Sequence, residues 1–261
     1  MDVRTSTSVA VVTGAGRGVG AATARELGRR GHHVIVNYRS SAATAQAVVE
    51  QIVAEGGAAT AIAADVCEQA QVRAMVAAVL AEHGRIDVLV CNANTVNPRF
   101  GPLSELPWEE FIGKVTGELA GAFFVTKSVL EVMRGQRGGQ IVYVSSTAAD
   151  HVGGGRLSHS TAKSALNTFS RHVAAEAAAD GITVNTVSPG LVRTEASAPA
   201  LTAERQEYTS ENSVLGRIVE PTDVASVIGL LTDPGMGAVS GAMLRVDGGF
   251  GVLVGGPSSS A

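Results

Sequence analysis

Cysteine is scarce in this chain. Its 261 residues include only Cys67 and Cys91, with no Cys-x-x-Cys spacing. That is the pattern of two reduced, core or near-core thiols in a cytosolic protein, and it excludes a disulfide-built scaffold. Aromatic residues reach only 4%, with a single tryptophan, Trp108. The core must then be made of small and β-branched side chains. Positive charge is not in excess: 20 Lys and Arg face 24 Asp and Glu, for a net charge of −4. Without a basic block, neither nucleic acid nor an anionic membrane is expected as the main partner. Apolar runs long enough to span a membrane are also missing. Residues 1–8 are polar, carry Asp2 and Arg4, and contain no apolar signal core. A soluble, cytoplasmic protein is expected.

What is present is a chain that can fold. Hydrophobic residues make up 45%, glycine numbers 31, and mean hydropathy is +0.21. The length suits one α/β domain over residues 1–261, with flexible tails at about 1–7 and 255–261. Short β-branched runs at 9–13, 34–37, 60–63, 88–92, 141–145, 183–187 and 243–246 read as strands. Helical patterns lie between them at 19–30, 42–55, 69–83, 108–133, 158–179 and 222–231. The strand runs are continuous rather than alternating, which predicts a parallel sheet covered on both faces. Gly56-Gly57, Gly84 and Gly181 end helices, and Thr222 is the expected cap of the last one. Two long loops, 94–107 and 189–213, follow strand C-termini, where ligands bind in such sheets.

The first strand runs into Thr13-Gly14-Ala15-Gly16-Arg17-Gly18-Val19-Gly20, and a helix follows. Glycines there let backbone amides approach a pyrophosphate at a helix N-terminus. The Thr-Gly-x-x-x-Gly-x-Gly spacing resembles the fingerprint of the short-chain dehydrogenase/reductase family. Further segments are similar to that family's motifs along nearly the whole chain. They are Asp65-Val66, Asn92-Ala93-Asn94, Pro189-Gly190-Leu191-Val192-Arg193-Thr194 and Asp247-Gly248-Gly249. The resemblance implies a Rossmann-type doubly wound sheet of about seven strands. It also implies that Asp65 and Val66 meet adenine, and that Asn92, Ala93, Pro189, Gly190, Val192 and Thr194 line the rest of a nicotinamide cofactor. The end of the second strand reads Asn37-Tyr38-Arg39-Ser40, with no carboxylate to hold the ribose hydroxyl of NAD. Arg39 and Arg17 are placed to grip a 2′-phosphate instead, so NADP(H) is the expected cofactor.

The resemblance breaks at the chemistry. The family uses a Ser with Tyr-x-x-x-Lys; here Lys163 is preceded four residues earlier by His159. Residues so spaced share a helix face. Ser146 stands thirteen residues before His159, at the family's Ser spacing, with Ser145 the weaker candidate. Glu118 occupies the usual place of an Asn that supports the Lys, and Asn94 that of a Gly. The expected roles follow: Ser146 polarises a carbonyl, His159 supplies the proton, and Lys163 holds the cofactor ribose and tunes His159. A nearby ammonium should push His159 toward neutral, and Glu118 should oppose that. His151, beside Asp150 in the 147–157 loop, is a secondary candidate acid. His32, His33, His83 and His172 lack metal-ligand spacing, and no Gly-x-Ser-x-Gly elbow signals a hydrolase.

Phe100, Pro102, Leu103, Leu191, Leu201 and Tyr208 in the two long loops favour a bulky neutral ketone as the small-molecule substrate. The resemblance implies a homotetramer or homodimer built on the two long helices. Two alternatives stay open: a non-redox dehydratase, cyclase or isomerase on the same fold, and a catalytically silent cofactor-binding protein.

Overall fold

Runs of valine, isoleucine and alanine form the strands β1 (Val9–Val12), β2 (His33–Tyr38), β3 (Ala58–Ala63), β4 (Val88–Cys91), β5 (Gly139–Val144), β6 (Ile182–Pro189) and β7 (Met243–Val246). The helices are α1 (Gly18–Arg29), α2 (Ala42–Ala54), α3 (Gln69–His83), α4 (Trp108–Gln136), α5 (Leu157–Ala177), α6 (Ala203–Glu211) and α7 (Pro221–Leu231). This computed structural model describes residues 7–253. The tails expected to be flexible therefore fall, apart from Thr7, outside the described residues. All seven expected strands and all six expected helices form, with ends shifted by a few residues.

The strands pair in parallel in the order β3-β2-β1-β4-β5-β6-β7, a doubly wound, Rossmann-type sheet. The chain builds outward from β1 to β3, then returns to β4 on the other side. This reversal opens a crevice above the C-terminal ends of β1 and β4. Two cores flank the sheet. Val11, Ile35, Leu89 and Ile141 face α3, α4 and α5 through Val76, Val125, Val129 and Leu166. Ala10, Val12, Val34 and Val90 face α1, α2 and α7 through Leu27, Ile52 and Ile228. Each fully buried aliphatic side chain contributes about 1.5–3 kcal/mol. Small residues let the helices approach: a Cβ at Gly28 on α1 would lie 2.7 Å from Ile52 Cγ2 on α2.

Helices thus cover both faces, as expected, although the edge strands β3 and β7 have no fully buried residue. Two expectations need correction. The 189–213 segment is not all loop but contains α6, a polar helix with only Thr209 buried. It lacks the apolar stripe that reveals a helix in a sequence. Thr222 is not the cap of α7. That helix starts one residue earlier, at Pro221, and Asp223 Oδ2 accepts the Glu220 N–H at 2.8 Å.

Candidate active site

The β1–α1 turn is a cradle made of backbone. Gly14 and Gly18 take left-handed conformations, with φ of 62° and 55°. A Cβ at Gly14 would lie 2.8 Å from Ala93 Cα, and one at Gly16 2.9 Å from Thr44 Oγ1. α1 begins at Gly18 after an extended Arg17, with no acidic side chain in its first turn. Its leading N–H groups, including those of Val19 and Gly20, are open to an anion.

Neighbouring side chains brace this cradle. Asn92 Nδ2 donates to Thr13 O and Gly14 O at 3.0 and 3.1 Å, and Thr13 Oγ1 accepts from Asn92 N and Ala93 N. Asn37 is 1% exposed. Its Oδ1 accepts from Gly14 N and its Nδ2 donates to Ala64 O. Asn37 and Asn92 thus border the cleft, but their polar groups hold the frame. The cleft is also bordered by Tyr38, Arg39, Ser40, Asp65, Val66 and Thr194. Arg39 Nη1 donates to Thr95 O at 3.3 Å and lies 4.0 Å from Asp65 Oδ2, its side chain largely exposed.

Pro189 ends β6, Gly190 packs against Asp247, and Val192 is buried and bridged to Val219, in the segment that leads to Thr194 at the cleft. Sequence reasoning missed Thr44, Thr95, Asn97, Glu195 and Ala196, which do border it. Thr44, in the first turn of α2, and Glu195, next to Thr194, carry no motif of their own.

Toward α5 the site is made of side chains. Ser145 is buried, and its hydroxyl donates to Asn167 Oδ1 at 2.5 Å. Ser146 caps the short turn Thr147–Ala149, where its Oγ accepts from Ala148 N at 3.2 Å. Its own proton is free to donate, which separates the two serines in favour of Ser146. Asp150 and His151 are exposed. His159 and Lys163 share a face of α5. Lys163 Nζ donates to Val144 O at 2.8 Å, two residues before Ser146 in the chain, and to Glu118 Oε1 at 2.6 Å. One N–H of that ammonium remains for a ligand.

Glu118 is not an outward-turned surface acid. Its other oxygen accepts from Lys114 Nζ at 2.6 Å, and Lys114 also donates to Asn94 Oδ1 at 2.6 Å. Lys114 is wholly buried and was not recognised from the sequence. The spacing of Lys114 and Glu118 on α4 was the available signal. Burial pushes the Glu118 carboxyl up, but the charges of Lys163 and Lys114 outweigh it and hold its pKa at about 2. His159 is pulled down to about 4, first by burial, then by Lys163 and Lys114, with Glu118 opposing. Part of its cover is Phe100, whose ring meets the imidazole edge-on at 6.5 Å. The Phe100 loop is tied to the start of α5 by the Gly101 N–H donating to Gly155 O at 3.1 Å.

At neutral pH His159 is then an uncharged imidazole, in line with the expected push from Lys163. It can offer one N–H to a carbonyl oxygen, or one lone pair to a proton. Beside it the two ammoniums and one carboxylate leave a net single positive charge, suited to an oxygen that becomes negative.

A family profile described as Enoyl-(Acyl carrier protein) reductase matches residues 14–251. The chain is 36% identical over 243 residues to a 3-oxoacyl-(acyl-carrier-protein) reductase of Synechocystis sp., covering 93% of this chain and 96% of that one. It is 38% identical over 253 residues to versicolorin reductase 1 of Aspergillus parasiticus, covering 92% and 95%. Among solved structures, a 7α-hydroxysteroid dehydrogenase complexed with NADH and 7-oxo glycochenodeoxycholic acid superposes with a TM-score of 0.88. That protein is 28% identical, and the match covers 93% of this chain and 94% of that one.

Proposed function

The chain belongs to the short-chain dehydrogenase/reductase family, and on that premise we propose that it is an NADPH-dependent ketoreductase in which His159 takes the place of the family's tyrosine. That the chain is a nicotinamide-dependent oxidoreductase of this family follows from its relatives. The observation that carries the finer reading is the placement of Lys163. It reaches back to Val144 O beside the Ser146 strand end and keeps one N–H unspent on the helix face of His159.

The residues present fit a dinucleotide. The glycine cradle leaves no room for side chains at Gly14 and Gly16, and Arg39 offers an exposed guanidinium where a 2′-phosphate would sit. When bound, NADPH would supply the hydride. Ser146 through its hydroxyl and neutral His159 through its N–H would hydrogen-bond the substrate carbonyl oxygen, and the alkoxide left by hydride transfer would take its proton from the Lys163 ammonium, which solvent reprotonates. Lys163 would hold a ribose hydroxyl with its third N–H and place its charge near the developing alkoxide. Exposed Phe100, Leu103 and Tyr208 favour a bulky neutral ketone. The unpaired thiols of Cys67 and Cys91 suit a cytoplasmic setting. Exposed Phe123 on α4 favours a homodimer or homotetramer built on that helix. The chain reads as one dinucleotide-binding domain, with substrate specificity carried by its loops.

A second reading is favoured by the low pKa of His159. A neutral imidazole is also a base, so a dehydratase or isomerase that leaves the cofactor unchanged fits the same residues. Turnover against a carbonyl panel separates the two, because ketone reduction consumes NADPH in step with product. His159→Ala is expected to lower kcat/KM for reduction about 100- to 1,000-fold, the range for losing one oxyanion donor. Protonating His159 near pH 4 removes a base but no donor, so activity should fall there if His159 acts as the base of a dehydratase or isomerase and should not fall there if it acts as a donor in ketone reduction. Unchanged reduction by His159→Ala would sink the assignment.

A further inference from the structure

We propose that Lys114 is a positioning residue for this site: its buried ammonium clamps Glu118 against Lys163 on one side and Asn94 of the cofactor cleft on the other, so that cleft and catalytic helix move as one unit. The word catalytic here rests on the reductase reading; the clamp itself rests on the contacts. Lys114 Nζ lies 2.6 Å from Glu118 Oε2 and 2.6 Å from Asn94 Oδ1. Glu118 Oε1 lies 2.6 Å from Lys163 Nζ, and Asn94 Nδ2 donates to Asn97 Oδ1 at 2.6 Å. Asn94 and Asn97 border the cleft, while Lys163 is bound to the strand that delivers Ser146. Lys114 is therefore the link in a continuous chain of hydrogen bonds from the cofactor cleft to the catalytic helix.

Packing alone gives no reason for a lysine at this position. It lies on the buried face of α4, where the following positions are Ala122, Val125 and Val129. A buried ammonium loses its hydration at a cost of several kcal/mol, and apolar residues of similar volume often serve stability as well or better. The observed partners explain its presence. Glu118 has two oxygens and two lysines to hold, and without Lys114 one oxygen would face the apolar core. Three residues that depart from the family pattern, Asn94, Glu118 and His159, all lie within the reach of Lys114: the first two by direct contact and the third through its charge. The charged groups that act on His159 are Lys163 from α5 and Lys114 and Glu118 from α4. The loop after β4 contributes the uncharged Phe100 ring, with Arg156 stacked 5.9 Å from that ring.

The test is Lys114→Met, which keeps the volume and removes the ammonium. Two quantities are read without any substrate: NADPH affinity, and the titration of the His159 imidazole by NMR. The third is the split between kcat and KM with a ketone that the wild type reduces. The expected result is an upward move of the His159 titration, as one cation is lost. With it should come a kcat lowered about tenfold while KM stays within about twofold, because Lys163 loses its fixed partner. If Lys114 only fills space, the melting temperature will change while the His159 titration and kcat stay at wild-type values, and the proposal falls. Should Lys114→Met not fold, the neutral pair Lys114→Met with Glu118→Gln is read instead. A wild-type kcat in that variant overturns the proposal equally, and a lowered one supports it. If no carbonyl is reduced even by the wild type, the reductase reading fails while the His159 titration still decides the clamp.

Discussion

The two ends of the crevice are built from different materials. At the β1–α1 end the ligand surface is backbone, and side chains such as Asn37 and Asn92 spend their polar groups on holding that backbone still. At the α4–α5 end the surface is side chain: Ser146, His159 and Lys163, backed by Glu118 and Lys114. A backbone cradle tolerates little change, since any added atom occupies the ligand's place or the neighbouring chain's. A side-chain site can exchange its members if charge and hydrogen bonding are rebalanced together. In the proposed reading a histidine takes the tyrosine's place, and the carboxylate and second lysine near it form a balanced set.

The largest expected effect breaks the rebalanced end. Glu118→Gln leaves two buried ammoniums facing a neutral amide, and breaking such a pair costs about 3–5 kcal/mol. Urea unfolding at neutral pH measures it. The pH dependence sharpens the same point. The folded Glu118 carboxyl sits at about 2, below its unfolded value, so its contribution is complete above the ordinary carboxylate range. That contribution is lost as the pH falls from there toward 2. The Gln variant should show a shallower loss of stability over that acid interval. Equal slopes would mean that Glu118 is not held as an anion.

The cradle is broken by one methyl group. A Cβ at Gly20 would collide with Gly14 O and lie 2.5 Å from Asn92 Nδ2. Both atoms are fixed, one in the tight turn and the other by its two carbonyl acceptors. Gly20→Ala should cost about 1–3 kcal/mol of stability, the range for overpacking. It should also abolish measurable quenching of Trp108 fluorescence by NADPH. The same methyl at Gly135, which has nothing within 4 Å, is the control that should change neither.

The unequal legibility of the two ends has the same origin. A backbone cradle needs glycine at fixed spacing, so Gly14, Gly16, Gly18 and Gly20 stand out in a linear sequence, as do the strands that carry them. Glu118 and His159 were visible as departures from a pattern, and Lys163 as a match to it. Their joint charge state was not, because it depends on Lys114, which lies on another helix from His159 and Lys163 and sits in a run that reads as ordinary helix. The neutral form of His159 likewise depends on Phe100, far away in sequence and brought in by the Gly101–Gly155 hydrogen bond. Helix α6 escaped notice for a simpler reason: a polar surface helix has no apolar stripe to read.

The smallest effect concerns a charged side chain at the rim of the cradle. No carboxylate follows β2, and Arg39 projects from its end with an exposed guanidinium held lightly by Thr95 O and by Asp65 at 4.0 Å. An exposed guanidinium meets a phosphate in high dielectric, so its worth is modest, roughly 1.4 kcal/mol or tenfold in affinity. Arg39→Ser should therefore weaken NADPH about tenfold and leave NADH nearly unchanged, as read by isothermal titration at low salt. The gap between the two cofactors should also narrow in the wild type as salt is raised, because screening acts on the phosphate contact alone. If Arg39→Ser weakens both cofactors alike, the arginine serves the shape of the cleft through Thr95, and the cradle discriminates by backbone after all.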